Sequence, residues 1–244
     1  MQNDAERSAA VGSECAKPSC RFLTRRRVAL LLILLAVLLH APLLRLAAGA
    51  MVVDEPGAAA DAVVVVNGDR CVEVAADLVR QRRVRSVILI KSYPRRLERY
   101  GILPPRVERT RSELLARGVP ESAIVVLDGQ SRDDWEATRR LGRWLDANPG
   151  RRVTVLRERF QGRFQRRIVW AVLDESAAAR VSYRGLADRR FDESDWWRSR
   201  VGIKEFLGSA LDLASAVLLG QRPPAEDWWN PDDYERQLAL NSEY

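Results

Sequence analysis

Two carboxylates stand where a predicted strand gives way to a helix, and their chemistry suits proton transfer. Asp134 and Glu136 follow the apolar run at residues 123–127 and begin an amphipathic segment. Carboxylates at this spacing can share acid–base work or hold a divalent cation, although no metal site is predicted. Asp133 precedes them, and acidic residues in the first turn of a helix also stabilise it by capping. Asp134 and Glu136 are therefore candidate catalytic residues, with helix capping as the alternative.

Two arginines are candidates for binding an anion. Arg70 follows the first apolar run of the domain, and Arg163 follows the fourth. Guanidinium groups that converge on one cleft suit phosphate or carboxylate, and the alternative is that each pairs with a neighbouring carboxylate. The other candidate anion-binding residues lie beside the predicted strand ends: Asn67, Gly68, Asp69, Ser92 and Ser131. Gly68 is the only glycine in its turn, which disfavours a bound dinucleotide, and the cofactor stays unknown.

The histidine and cysteine content excludes some classes of catalysis. The only histidine, His40, lies in a long apolar run near the N-terminus. The sequence after that run therefore supports neither a His-based metal site nor Ser–His catalysis. Cys15 and Cys20 precede the run, which leaves Cys71 alone after it. A lone cysteine of this kind is expected to be a small buried hydrophobic residue rather than a nucleophile.

Apolar runs alternate with helical periodicity through the rest of the chain. The runs predict five strands, at residues 62–67, 86–91, 123–127, 152–156 and 179–183. Strands that alternate with longer helices predict an α/β fold, a three-layer, Rossmann-like, mostly parallel sheet of about five strands. Ligands of such sheets bind beyond the C-terminal ends of the strands, which is where the candidate residues lie. A last helix is predicted over residues 206–219.

The apolar run near the N-terminus is long enough to cross a membrane. Residues 28–44 carry no formal charge at neutral pH, and a helix of this length spans about 26 Å. The triplet Arg25–Arg27 precedes the run and predicts a cytoplasmic N-terminus by the positive-inside rule. We predict a signal-anchor at residues 28–50 that contacts the lipid bilayer, followed by an exported domain. Cleavage after Ala50 is the alternative, because Ala-Gly-Ala at residues 48–50 has the form of a signal-peptidase site.

Composition divides the chain into five segments. They are a basic leader at 1–27, the signal-anchor at 28–50, a linker at 51–61, the α/β domain at 62–221 and an acidic C-terminal tail at 222–244. The formal net charge is +7, and residues 1–50 contribute +4 of it, from seven Lys and Arg against three Asp and Glu. Arginine is spread along the domain without an aromatic–basic motif, so nucleic acid is not expected as a partner.

Four motifs occur along the domain in an order shared with a known family. They are Ala-Asp-Ala-Val-Val-Val-Val-Asn-Gly-Asp-Arg at 60–70, Leu-Ala-Arg-Gly-Val-Pro-Glu-Ser-Ala-Ile at 115–124, Ser-Arg-Asp-Asp-Trp-Glu at 131–136, and Arg163. They resemble motifs of the YdcF-like (SanA/ElyC-like) envelope family, a domain of unknown function. That family has a glycine-rich turn before its first Arg, then Leu-x-x-Gly-Val-Pro-x-x-x-Ile, Ser-x-Asn-Thr-x-Glu and His-x-x-Arg. The resemblance covers residues 60–220.

The chain departs from this family pattern at four places. In the third motif, Asp133 and Asp134 stand in place of Asn and Thr. The glycine-rich first turn is reduced to Asn-Gly-Asp at 67–69, and Ser-Gly-Gly after the second strand is Ser-Tyr-Pro at 92–94. The His of His-x-x-Arg is Phe160, which has no polar side-chain atom to transfer a proton. The chain is therefore identified as a divergent, membrane-anchored member that lacks the family's His.

The resemblance implies a place and a role. It implies a single-pass protein of the plasma membrane, whose C-terminal domain is periplasmic or exoplasmic and serves peptidoglycan or surface-polysaccharide biogenesis through an anion-binding cleft. The alternative is a hydrolase or transferase that acts on a phosphorylated or lipid-linked envelope precursor. In that reading Arg70 and Arg163 bind the anion, while Asp134 and Glu136 move protons. The sequence leaves open whether the domain is an enzyme.

Overall fold

The computed structural model describes residues 20–55, 59–66 and 68–220. The candidate Asn67 lies outside the described residues, as do residues 1–19 of the leader and residues 221–244, which include the acidic tail. The chain divides into two compact units between Leu44 and Arg45.

The first unit holds most of helix α1 (Cys20–Met51). Within the described residues, one segment, Arg27–Met51, is a helix long and apolar enough to cross a membrane. Its large apolar side chains from Leu30 to Leu35 are exposed, as expected of residues that face lipid. The expected N-terminal helix is therefore present over the predicted segment 28–50. Length and composition by themselves fit an anchor and a signal sequence alike.

Five strands form one parallel sheet in the second unit. They are β1 (Ala62–Val65), β2 (Ser86–Ser92), β3 (Ile124–Ser131), β4 (Val153–Glu158) and β5 (Val181–Leu186). The spatial order is β3-β2-β1-β4-β5, and every neighbouring pair is parallel. The predicted α/β fold with five strands is confirmed.

Helices connect the strands and cover both faces of the sheet. In chain order after α1 they are α2 (Asp69–Arg80), α3 (Arg96–Arg99), α4 (Arg106–Ala116), α5 (Asp134–Ala147), α6 (Gly162–Val172), α7 (Glu175–Ala178) and α8 (Arg200–Leu218). Single turns of 3₁₀-helix lie at Glu121–Ala123, Arg159–Gln161 and Trp196–Arg198.

Two hydrophobic cores lie on opposite faces of the sheet. Val63 belongs to the core that includes residues of α2 and α4, whereas Val64 belongs to the core that includes residues of α5 and α6. This alternation follows from the period of a strand, in which successive side chains point to opposite faces. All four residues of β1 are buried, which is typical of a central strand covered on both sides. The three predicted layers are present.

Two elements extend at least four residues further than the sequence predicts. The prediction ended the third strand at Leu127, but β3 continues to Ser131 and carries a register irregularity beside β2. The prediction began the last helix at Phe206, but α8 begins at Arg200. The Ser199 side chain caps it by accepting a hydrogen bond from the Gly202 amide at 2.9 Å.

Helix α8 packs on the domain through small residues. Its buried residues are Gly202, Ser209 and Ala216, and it lies against α6 and the single turn Trp196–Arg198. An added Cβ on Gly202 would collide with the Trp196 backbone, so this close approach requires glycine. The larger apolar residues of α8, such as Leu211, remain exposed.

The residues that follow the apolar run also pack on the domain. Residues 45–55 belong to the second unit, and within them Ala48 and Met51 are buried. A Cβ on Gly162 would lie only 2.8 Å from the backbone nitrogen of Val53, so this segment lies directly against the start of α6. Residues 51–55, predicted as part of a linker, thus form part of the packed unit.

Candidate functional site

The order of the strands reverses between β1 and β4. The chain passes from β1 to β2 on one side of the sheet and from β4 to β5 on the other. In parallel α/β sheets such a reversal leaves a crevice beyond the C-terminal strand ends, and ligands bind there. A cleft of about 900 Å³ occupies this place. We call it the switch-point cleft.

Four segments supply most of the lining of the switch-point cleft. They are the turn from β1 into α2 (68–73), the residues after β4 (158–161), the residues after β5 (186–190) and one face of α8 (201–212). Three of the predicted anion-binding residues, Gly68, Asp69 and Arg70, line it.

The turn from β1 into α2 depends on Gly68. This residue is the N-cap of α2 and has φ = +92°, a conformation that glycine adopts without strain. It has no side chain to cap the amides of the first turn. The Glu158 Oε1 lies 3.6 Å from the position that a Cβ on Gly68 would take. A carboxylate therefore lies beside the N-terminus of α2, where the helix dipole stabilises negative charge.

Two cations of the cleft lie near Glu73. Arg189 Nη2 is 3.1 Å from a carboxylate oxygen of Glu73, whereas Arg70 Nη1 is 3.9 Å from it. The second distance is the upper limit of an ion pair, and the Arg70 side chain is 45% exposed. An exposed pair of this kind contributes little stability, so Arg70 can turn to another anion at low cost.

The remaining cations of the cleft differ in how firmly they are held. Arg190 donates hydrogen bonds to both carboxylate oxygens of Asp188, at 2.9 and 2.7 Å. These bonds lower the pKa of Asp188 to about 2. Lys204 on α8 forms no ion pair with any residue that the structure describes. Arg70 and Lys204 are thus the cations of the cleft that are most available to a ligand.

One face of α8 supplies the polar wall of the cleft. Glu205, Ser209 and Asp212 all line it, at the spacing that places side chains on one side of a helix. Burial, followed by the negative charges of Glu158 and Asp188, raises the pKa of Glu205 to about 7. Burial and the neighbouring negative charge of Asp134 raise the pKa of Asp212 as well.

Ser209 is unusual among the residues of this wall. It is only 2% exposed, and its Oγ has no hydrogen-bond partner among the described residues. An unsatisfied buried hydroxyl costs about 1–3 kcal/mol, so such groups normally have a partner.

The C-terminal ends of β2 and β3 carry the other predicted strand-end residues. Ser92 and Ser131 are partners in the β2–β3 register. Ser131 is buried, and its Oγ accepts a hydrogen bond from Arg140 Nε at 3.0 Å. Arg140 also donates to the carbonyl oxygen of Asp128 at 2.8 Å. We call this part of the rim, residue 92 with residues 128–136, the closed edge; none of its residues lines the switch-point cleft.

Two acidic residues of the closed edge bond to backbone amides at the start of helix α5. The Glu136 amide donates to Asp133 Oδ1 at 2.7 Å, and the Arg132 amide donates to Glu136 Oε2 at 2.7 Å. The capping role considered for Asp133 is confirmed. The Asp133 side chain satisfies a backbone amide of the first turn that the helix itself cannot, and the Glu136 carboxylate holds the residue before the N-cap.

Asp134, the other candidate catalytic residue, is held by an ion pair. Its Oδ1 accepts a hydrogen bond from Arg157 Nη2, and the Arg157 side chain is only 5% exposed. Arg157 Nη1 donates in turn to Gln161 Oε1 at 2.7 Å. The carboxylate of Asp134 therefore neutralises a buried cation. A role for Asp134 and Glu136 in catalysis stays a prediction.

The two positions of the family's His-x-x-Arg motif lie apart from the cleft lining. Phe160 is fully buried, and its ring contacts those of Phe191, Trp196 and Phe206 at centroid distances of 6.0, 6.4 and 5.6 Å. The expected site of the family's His is thus a core position in this chain. Arg163 is exposed on α6 and does not line the switch-point cleft.

The lone cysteine behaves as the sequence predicts. Cys71 is buried on α2 and forms no disulfide. Burial raises the pKa of its thiol to about 12, so it is protonated at neutral pH. A thiol in this state is a poor nucleophile.

Several residues of the cleft were not among the sequence-based candidates. They are Glu158, Asp188, Arg190, Lys204, Glu205, Ser209 and Asp212. Glu158 directly ends a buried strand, and polar residues recur on the same face of the otherwise apolar α8, so a sequence signal existed for both. The strand order, which brings these segments together, was not available from the sequence.

No group of three or more His, Cys, Asp or Glu residues in the described part of the chain could hold a metal ion. Comparisons of the chain with models of protein families, with curated proteins and with solved structures found no match.

Proposed function

We propose that this protein is a membrane-anchored, exported member of the YdcF-like (SanA/ElyC-like) family that binds an anionic ligand in cell-envelope biogenesis. The observation that carries the binding role is the switch-point cleft, which presents Arg70 and Lys204 at the place where such sheets bind ligands. The motif order between residues 60 and 163 supports the family, and the apolar helix α1 supports the membrane location.

The contacts of the membrane-proximal residues favour an anchor over a cleaved signal peptide. Arg45 Nε donates a hydrogen bond to the Ser194 carbonyl oxygen at 3.3 Å, and Ala48 is fully buried. Cleavage after Ala50 would remove both residues from the packed domain. The Arg25–Arg27 triplet supports a cytoplasmic N-terminus, with the domain on the outer side of the plasma membrane.

The topology is tested by fusing a reporter after Tyr244. We expect a periplasmic reporter to be active there and the full-length chain to stay in the membrane fraction. Reporter activity confined to the cytoplasm would refute the export, and a mature protein that begins at Met51 would refute the anchor.

The binding role is tested by titrating the full-length protein in detergent with inorganic pyrophosphate. The variants Arg70→Gln and Lys204→Gln are expected to weaken binding at least about 10-fold each, because a hydrogen bond to a charged group contributes about 1.5–3 kcal/mol. Arg143→Gln, an exposed arginine of α5, is the matched control. Loss of binding in Arg163→Gln with no change in Arg70→Gln would move the anion site to the family motif instead.

Catalysis by a hydrolase or transferase is the second candidate function. The raised pKa of Glu205 is the observation that favours it. Its pKa of about 7 suits a general acid or base at neutral pH, and Glu158 lies in the same cleft. The test is phosphate release from a polyprenyl diphosphate. We expect Glu205→Gln to abolish turnover, whereas loss of turnover only in Asp134→Asn and Glu136→Gln would place the chemistry at the closed edge.

A further inference from the structure

The switch-point cleft is larger than a bare phosphate group requires. Its volume of about 900 Å³ lies in the range of sites that hold whole small molecules, about 300–1,000 Å³. An anion at Arg70 and Lys204 would leave the carboxyl and hydroxyl groups of Glu158, Glu205 and Ser209 to contact the rest of the ligand. The chemistry of these groups therefore indicates what that rest is.

A second anion does not fit these three groups. The Glu158 carboxylate lies beside the N-terminus of α2 and repels negative charge from the place that such helices offer to phosphate. The charge of Glu158 is already stabilised by that helix, which also reduces its attraction for a ligand ammonium group. A neutral, hydrogen-bonding portion of the ligand is the better match.

The carboxyl groups on α8 match hydroxyls in particular. Burial keeps Glu205 partly protonated at neutral pH, so its carboxyl group both donates and accepts hydrogen bonds. Hydroxyl groups have the same double capacity. Asp212, two turns further along the same face of α8, has a pKa that burial raises as well.

Ser209 gives an independent indication of a missing partner. Its Oγ is buried and unsatisfied among the described residues, although the residue lines the cleft. A serine in a helix commonly bonds to the carbonyl oxygen four residues earlier, which Ser209 does not do. A ligand hydroxyl would satisfy it.

We propose that the inner part of the switch-point cleft is a hydroxyl-binding subsite and that the ligand is a sugar phosphate. The phosphate lies on Arg70 and Lys204, and the sugar hydroxyls contact Glu158, Glu205 and Ser209. This subsite rests on the anion binding proposed above and adds the class of molecule that carries the anion.

The test compares three probes by calorimetry on the full-length protein in detergent at pH 7. They are glucose 1-phosphate, inorganic phosphate and phosphoethanolamine. We expect glucose 1-phosphate to bind about 10-fold or more tightly than phosphate, because the sugar adds two or three hydrogen bonds. Phosphoethanolamine is expected to bind no more tightly than phosphate.

Ser209→Ala then separates the subsite from the anion site. We expect this variant to bind glucose 1-phosphate about 3–10-fold more weakly than wild type and to bind inorganic phosphate with unchanged affinity. Ser215→Ala is the control, because Ser215 lies on the same helix but is exposed and outside the cleft lining. Without ligand, Ser209→Ala should melt at or above the wild-type temperature, since it removes an unsatisfied buried hydroxyl.

Each other outcome overturns a defined part of the proposal. Phosphate binding with no gain from the sugar, or tighter binding of phosphoethanolamine, overturns the subsite and leaves the anion site standing. Absence of binding by all three probes overturns both. A lowered melting temperature of unliganded Ser209→Ala shows that the hydroxyl has a structural partner, which also overturns the subsite.

Discussion

The two halves of the sheet's C-terminal rim use similar residues in opposite ways. At the closed edge, Asp134 bonds to buried Arg157, and Glu136 bonds to a backbone amide. At the switch-point cleft, the Ser209 hydroxyl lacks a partner among the described residues and Glu205 has a raised pKa. Asp134 and Glu136 therefore stabilise the fold in one half, whereas Glu205 and Ser209 remain available for a ligand in the other.

This difference teaches that the type and spacing of residues do not by themselves mark a site. Asp133 and Glu136 have the spacing expected of a helix cap, and in the structure Asp133 caps α5 while Glu136 accepts a hydrogen bond from the Arg132 amide. Residues of a binding site instead keep hydrogen-bonding capacity that the fold does not use. Substitutions in the two halves should therefore separate stability from binding.

The largest expected effect is on stability, at the closed edge. Asp134→Ala leaves the Arg157 cation buried and without its carboxylate partner. We expect this change to lower the free energy of unfolding by about 3 kcal/mol. This value is the lower end of the range for broken buried ion pairs, because Asp134 is partly exposed. Urea denaturation of the full-length protein in detergent, followed by tryptophan fluorescence, measures this change. The double variant Asp134→Ala/Arg157→Met should recover part of the loss. Equal stability of Asp134→Ala and wild type would show that the ion pair does not hold this edge.

The next effect concerns Glu205 and depends on pH. Its pKa of about 7 exceeds the ordinary value of 4.5, so the stability contributed by the protonated carboxyl is complete below pH 4.5 and is lost as pH rises through 7. At pH 8 we expect the free energy of unfolding of Glu205→Gln to be about 2 kcal/mol higher than that of wild type, after allowance for solvent screening. At pH 4 the two free energies should be equal. Denaturation at both pH values measures the difference. The exposed Glu108→Gln is the control, and a pH-independent effect of Glu205→Gln would contradict the raised pKa.

A smaller effect is expected from the cap of α5. Asp133→Ala removes the acceptor of the Glu136 amide and should destabilise the protein by about 1 kcal/mol. Asp133→Asn, which can accept the same hydrogen bond, should stay close to wild type. Thermal unfolding of the two variants side by side distinguishes capping from a general loss of charge.

The smallest effect on stability is expected at the mouth of the cleft. Arg70→Gln breaks only a 3.9 Å contact of an exposed side chain and should change the free energy of unfolding by less than about 0.5 kcal/mol. The same variant should lose most of its pyrophosphate binding. A loss of stability as large as that of Asp134→Ala would erase the contrast between the two halves.

The fold was predictable because its signal is local. The β-branched run at residues 62–65 and the apolar runs after it have the length and composition of buried strands, and the helical segments between them show the matching periodicity. The parallel topology also predicted that ligand-binding residues would lie at the C-terminal rim of the sheet. Gly68, Asp69 and Arg70 lie at this rim and line the cleft.

The composition of the cleft was less predictable because it depends on long-range packing. The order β3-β2-β1-β4-β5 decides which strand ends are neighbours, and it places the residues that follow β4 beside the turn that follows β1. Glu205 entered the site only because small residues let α8 lie close to the domain, a packing effect that the apolar pattern of α8 does not reveal. Phe160 became a core residue through rings that lie 31 to 46 positions further along the chain, at residues 191–206.

Hydrogen–deuterium exchange of the full-length protein with and without glucose 1-phosphate locates the ligand on the rim of the sheet. We predict protection of the amides in residues 68–73, 186–190 and 201–212, with no change in residues 131–136. Protection confined to residues 131–136 would place the ligand at the closed edge and contradict the account.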